Sequence, residues 1–269
     1  RHGLEVRQPL EGVGRNLQDR YEVGLVYRLK NDWRVLRDAT FGRTDAQFRQ
    51  WAEGRNGVYT SNGALLAIIR RSAPARPLPD LFCFALLGEF RGYEPDYSRR
   101  LVEHRNRLTW AVLKGHTNNR AGRIRLRSAD PLDTPEINFH YFQEGSAGWE
   151  EDLVSVMAGV KFVREIMAKL IRDGCVEEEV PPRVGELSDG ELAEFVRANA
   201  WGHHASSSCP IGHPAQGGVV DSRFRVHGCR GLRIVDASIF PRIPGLFIAS
   251  AVYMIGEKAA DTILRDRPA

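Results

Sequence analysis

The sequence is short of lysine, methionine and cysteine, and it lacks long apolar runs and a complete glycine fingerprint. Only five of its 38 basic residues are lysine (Lys30, Lys114, Lys161, Lys169 and Lys258), and the rest are arginine. Such a bias more often reflects a GC-rich genome than a function. The net charge of +4 is small and spread out. No basic run carries interleaved aromatics, so a nucleic-acid partner is not expected. The methionines are Met157, Met167 and Met254, and the first residue is Arg1. The expectation is a chain that starts inside something longer or was processed. Cys83, Cys175, Cys209 and Cys229 form no C-x-x-C pair. A chain of this size needs no disulfide scaffold, so a reducing, cytoplasmic setting is expected. The apolar stretches Leu65 to Ile69 and Phe247 to Ile255 are too short to span a bilayer. No signal peptide is visible. There is no Walker sequence, and the glycine turn Gly12-Val13-Gly14 lacks the third glycine of a dinucleotide loop.

What is present belongs to an ordinary globular chain. Its 269 residues are 42% hydrophobic and 27% charged, enough for one large domain or two modest ones. Strand character recurs at Tyr21 to Leu29, Leu65 to Arg70 (an apolar run expected to be buried), Asp80 to Leu87 and Leu108 to Lys114. Arg123 to Arg127 alternates charged and apolar, as a strand with one wet face does. Thr44 to Ala52 reads as a short helix with Thr44 as its cap. Trp149 to Arg172 repeats apolar residues every three or four positions and is the clearest helix, with Gly174 stopping it. Ser188-Asp189-Gly190-Glu191 is a capping box that opens a helix to about Asn199. Glu177-Glu178-Glu179 reads as a solvated turn, Leu232 to Val235 as a short strand and Gly256 to Arg265 as a final helix. Several strands of antiparallel character between sparse helices predict an α+β fold rather than repeating βαβ units.

The densest polar cluster runs from Trp201 to His213 and holds His203, His204, His213 and Cys209. Four readings are open from spacing alone. A metal site needs His and Cys ligands, but no H-x-x-x-H repeat is present and none is expected. A serine nucleophile lacks its G-x-S-x-G elbow. A general-base histidine in a rigid loop fits, because imidazole takes a proton near neutral pH. A polar surface loop also fits.

Several segments together resemble the glucose-methanol-choline (GMC) flavoprotein oxidoreductases. Gly12-Val13-Gly14-Arg15-Asn16-Leu17-Gln18-Asp19 is similar to the family's G-V-G-x-N-L-x-D-H segment. Thr60-Ser61-Asn62-Gly63 and Ser128-Ala129-Asp130-Pro131 resemble two of its turns. Leu232 to Ser238, followed by Pro241 and Ile243-Pro244, resembles L-R-V-V-D-A-S-x-x-P-x-x-P, and Ile255 to Asp261 resembles the terminal helix. The motifs occur in the family's order over nearly the whole chain.

The resemblance implies a largely antiparallel substrate-binding sheet flanked by helices, plus C-terminal segments of an FAD-binding domain. The implied division is 1–20 contacting the FAD domain, 21–200 binding substrate, and 201–269 forming the active-site loop and the return to the FAD domain. The βαβ unit whose glycine loop would cradle the FAD pyrophosphate is absent, so a missing N-terminal half is the implied partner.

Counting back from Cys209 places the family's catalytic histidine at His204, with His203 next in register. The second catalytic position, usually His or Asn, falls on Phe247, which can neither donate nor accept a hydrogen bond. Asn199 or a backbone carbonyl would then orient the base. Asn16, Leu17, Asp236 and Ala237 match flavin-approaching positions, and Arg20 stands where the family often has His. The implied activity is FAD-dependent oxidation of a small alcohol by hydride transfer, with the isolated chain expected to be inactive. A non-catalytic substrate-binding half and a hydroxynitrile-lyase-like activity are the alternatives.

Overall fold

The computed structural model describes residues 2–95, 97–142, 148–181 and 187–266. The chain divides into two compact units. One comprises Tyr21–Lys114 and Val154–Trp201; the other comprises Arg1–Arg20, Gly115–Leu153 and Gly202–Ala269. The 115–153 segment thus groups with the two chain ends, although the division read from the resemblance placed it with 21–200.

The sheet unit carries strands β1 (Glu22–Leu29), β2 (Ala64–Arg70), β3 (Leu81–Leu87), β4 (Arg107–Lys114) and β7 (Val176–Val180). All pairings are antiparallel, in the order β2-β3-β4-β1-β7. The central strands β1 and β4 are buried almost throughout, which is why they read as near-continuous apolar runs. Helices α1 (Ala46–Gly54), α2 (Tyr97–Glu103), most of α3 (Trp149–Arg172) and α4 (Asp189–Asn199) belong to this unit. Val156, Val160, Val163 and Met167 of α3 are fully buried, and Trp110 donates its indole N–H to the Met167 sulfur at 3.2 Å. Gly159 permits the close approach, because a Cβ there would lie 2.5 Å from a Val112 methyl. At the end of the sheet, buried Lys114 donates to Asp80 at 2.7 Å and to Ser155 at 3.3 Å. Against the upward push of burial, the Lys114 bond and the bonds from the Ser72 hydroxyl and N–H hold the Asp80 carboxyl down at about 2.

Five expectations are corrected here. The Glu177–Glu179 run is strand, not turn: Arg28 meets Glu177 and Glu178 at 2.6 Å, and Arg164 meets Glu179 at 2.8 Å, so each carboxylate has a cation. Strand β2 is exposed rather than buried, with Leu66 51% accessible, because it lies at the sheet edge. Helix α1 is capped by Asp45, which accepts from the Phe48 N–H at 2.8 Å, and not by Thr44. The terminal helix α5 starts at Ala249, well before Gly256. Leu232 to Val235 forms no strand: it meets the 224–226 segment only at an isolated bridge, Arg225 to Arg233, across a loop with positive-φ glycines at Gly228 and Gly231. The capping box at Ser188 and Glu191 forms with both reciprocal bonds.

The second unit holds the hairpin β5 (Arg123–Arg125) and β6 (Glu136–Asn138), the long loops and α5 (Ala249–Arg265). Val219, Val220, Phe224, Val226, Ile239 and Ala259 form its core.

Candidate functional site

The 202–213 stretch is irregular yet held along both sides. On one side, Gln18 and Ser206 exchange backbone bonds at 3.0 and 2.9 Å, and the Gly14 N–H reaches Ser208 O at 2.9 Å. On the other, the N–H groups of Ser207, Cys209 and Ile211 donate to the carbonyls of Ala237, Ser238 and Ile239 at 3.1, 2.8 and 2.8 Å. A loop without a ladder of its own thus has its backbone groups satisfied by two neighbouring segments. Ser206 and Ser207 are buried in this arrangement.

His204 lies near the start of this stretch and is 8% exposed. Its backbone N–H donates to Asp19 Oδ1 at 2.8 Å. Its Nδ1 is buried and has no hydrogen-bond partner among the described residues. The ring is 4.1 Å from the His203 ring and 5.6 Å from the Phe247 ring, edge-on to the latter. Burial, then His203, then the buried Arg20 guanidinium hold the imidazole down at about 4. His203 is exposed, and desolvation followed by Arg20 lowers it as well. His204 is therefore neutral through the physiological range.

Three residues behind His204 escaped the sequence reading. Asp19 is buried and accepts from the Arg20 N–H at 2.7 Å as well as from His204, and the Tyr141 hydroxyl also bonds to its carboxylate. Burial still raises its pKa, outweighing those bonds. Gly202 has no room for a side chain, because a Cβ would lie 2.5 Å from both Asp19 Oδ2 and Tyr141 Oη. Asp19 did fall inside the quoted glycine-turn motif and Gly202 inside the Trp201–His213 cluster, though neither was given a role, whereas nothing local marked Tyr141.

The other expected residues are placed as follows. Asn16 has φ +60 and spends its side chain between loops: Nδ2 donates to Ser207 O at 3.1 Å and to Pro241 O at 3.3 Å, while Oδ1 accepts from Arg120 at 2.8 Å. It lines a cavity of about 370 Å3 with Ile211, Gly212 and Pro241. Leu17 is buried, with its N–H on Gly122 O. Asp236 is exposed and caps the short turn Ala237–Ile239, accepting from the Ser238 N–H at 2.7 Å. Ala237 supplies its carbonyl to Ser207. Asn199 ends α4 in the sheet unit and donates its side chain back to Phe195 O at 2.8 Å. Arg20 is fully buried and donates to Pro244 O. Among the described residues no group of three or more His, Cys, Asp or Glu is arranged to hold a metal ion. No described helix is long and apolar enough to cross a membrane.

A family model described as GMC oxidoreductase matches residues 118–256. An oxygen-dependent choline dehydrogenase of Pseudomonas aeruginosa (strain LESB58) is 33% identical over 266 residues, which cover 98% of this chain and 45% of that protein. A second, from Klebsiella pneumoniae, is 31% identical and covers 98% and 46%. Among solved structures, a formate oxidase superposes with a TM-score of 0.79 at 24% identity, covering 99% of this chain and 49% of its own. Pyridoxine 4-oxidase from Mesorbium loti gives 0.73 at 19%, covering 99% and 46%. These two show the likeness of fold. The chain spans about half the length of the curated relatives it matches, corresponding to their C-terminal half. On these matches, the chain belongs to the GMC oxidoreductase family.

Proposed function

We propose that this chain carries the proton-accepting half of an FAD-dependent oxidoreductase acting on a small alcohol, with His204 as the base. The observation that carries the reading is the state of His204: buried, neutral, and with Nδ1 lacking a partner among the described residues. A neutral imidazole accepts a hydroxyl proton, which an imidazolium cannot do. FAD, when bound, supplies the hydride acceptor. The orphaned buried Nδ1 fits a site that another group completes, since a buried polar atom is ordinarily bonded. Asn16, Leu17, Asp236 and Ala237 are the residues that would hold the flavin.

His204 takes the proton at whichever ring nitrogen carries no hydrogen. Burial, then His203 and Arg20, keep the ring uncharged before that step. Phe247 bounds the ring with an apolar edge and cannot share the proton, so His204 acts as a single base. With no complete G-x-G-x-x-G loop, the 269-residue chain supplies little for the FAD pyrophosphate. Turnover then depends on an N-terminal half like that of the longer relatives.

The experiment is flavin reduction by alcohols, followed anaerobically in the flavin-loaded protein that contains this chain. His204→Ala is expected to abolish the bleaching of visible flavin absorption. Reduction at an undiminished rate would remove His204 from the chemistry. A wild-type protein that holds flavin yet is reduced by no alcohol would favour the non-catalytic reading.

A further inference from the structure

We propose that Asp19 is the positioning residue for His204: its carboxylate fixes the main chain that carries the imidazole, and Tyr141 and Gly202 complete the cradle. Which chemistry the imidazole performs rests on the function proposed above. How the imidazole is held does not.

The imidazole cannot hold itself in place. Its Nδ1 makes no hydrogen bond among the described residues, and the ring contacts at 4.1 and 5.6 Å, to His203 and Phe247, are non-directional packing. The ring's position is therefore inherited from the backbone at residue 204. That backbone is bonded at its N–H to Asp19 Oδ1, and the next backbone bonds along the chain come only at Ser206. Asp19 is in turn pinned. Its Oδ1 also takes the Arg20 N–H at 2.7 Å, its own carbonyl accepts from the Thr117 hydroxyl at 3.0 Å, and Tyr141 bonds to the carboxylate. A buried carboxylate with converging donors is a rigid anchor, because each bond lost would leave a buried charge less satisfied. Gly202 lets the loop close over it. A Cβ there would meet Asp19 Oδ2 and Tyr141 Oη at 2.5 Å and Arg20 O at 2.6 Å.

This arrangement separates two roles that one residue could play. As a charge, Asp19 would favour the imidazolium, so removing the charge would make His204 harder to protonate. As a positioner, it keeps the ring buried, so removing the side chain would let the ring relax toward water and become easier to protonate. The charged or titratable groups known to act on His204 or its backbone are Arg20, His203 and Asp19 itself.

The test is a histidine titration by NMR on the 269-residue chain, with His204 assigned by its own substitution. In the wild type, His204 is expected to protonate well below the other histidines. Asp19→Asn keeps an acceptor for both backbone N–H groups and is expected to leave the midpoint unchanged or lower. Asp19→Ala removes the anchor and is expected to raise the midpoint by about one pH unit, toward the ordinary imidazole value. A folded Asp19→Ala chain with the wild-type midpoint overturns the proposal, as does an Asp19→Asn midpoint raised as far as that of Asp19→Ala. If Asp19→Ala fails to fold, Tyr141→Phe decides: a smaller upward shift supports the cradle, and no shift overturns it. The readout needs neither flavin nor substrate, so a failed His204 base assignment and a failed anchor are distinguishable.

Discussion

The depressed basicity of His204 makes stability depend on pH in a calculable way. In the unfolded chain an imidazole titrates near 6.5, whereas in the fold it is held at about 4. Between these values the unfolded chain takes up a proton that the native site refuses. The stabilisation is thus fully present above pH 6.5 and is lost as pH falls toward 4. At roughly 1.4 kcal/mol per pH unit, the gap amounts to at most about 3 kcal/mol. That is a large share of a typical domain's net stability of about 5–15 kcal/mol. The assay is urea unfolding at a series of pH values from neutral to mildly acidic, comparing wild type with His204→Phe. Phenylalanine keeps a ring in the site and cannot titrate. The wild type is expected to lose up to about 3 kcal/mol more than the variant across this window. All the other histidines are common to both proteins, and Asp80, held at about 2, titrates below the window. Parallel curves would refute the reasoning, because they would mean that the His204 ring is as easily protonated in the fold as in water.

Two further predictions concern one group in each unit. Lys114→Met should destabilise the sheet unit by up to about 3–5 kcal/mol in urea at neutral pH, because it removes the closer of the two cations on the buried Asp80 carboxylate and leaves only Arg76 at 3.5 Å; a loss under 1 kcal/mol would contradict the weight given to the Lys114 pairing. Phe247→Asn places a donor and acceptor beside the His204 ring, and flavin reduction in the flavin-loaded protein should quicken by about tenfold or more if proton transfer limits it. An unchanged or slower rate would show that the apolar edge serves the site better than a second polar group.

How much could be read in advance differed by element. The central strands, α3 and α4 were visible because their periodicity or capping is local and agrees with their burial. The Glu177–Glu179 run was misread because its partners, Arg28 and Arg164, lie elsewhere in the chain. A run of like charges looks solvated until its cations are brought alongside. The start of α5 was missed because residues 249–255, Ala-Ser-Ala-Val-Tyr-Met-Ile, offer no side-chain cap hydrogen bond to mark it.

The same division holds at the site. Motif order along the chain was enough to single out His204 and Phe247, because counting along a sequence needs no third dimension. The family followed from the same motifs. The character of His204 was decided only by packing. Its neutrality comes from desolvation and from the nearness of His203 and Arg20, and its anchor is a carboxylate from the far end of the chain. Burial and through-space charge are properties of distances between atoms, and residues 19, 141 and 202 acquire theirs only when the loops close on one another.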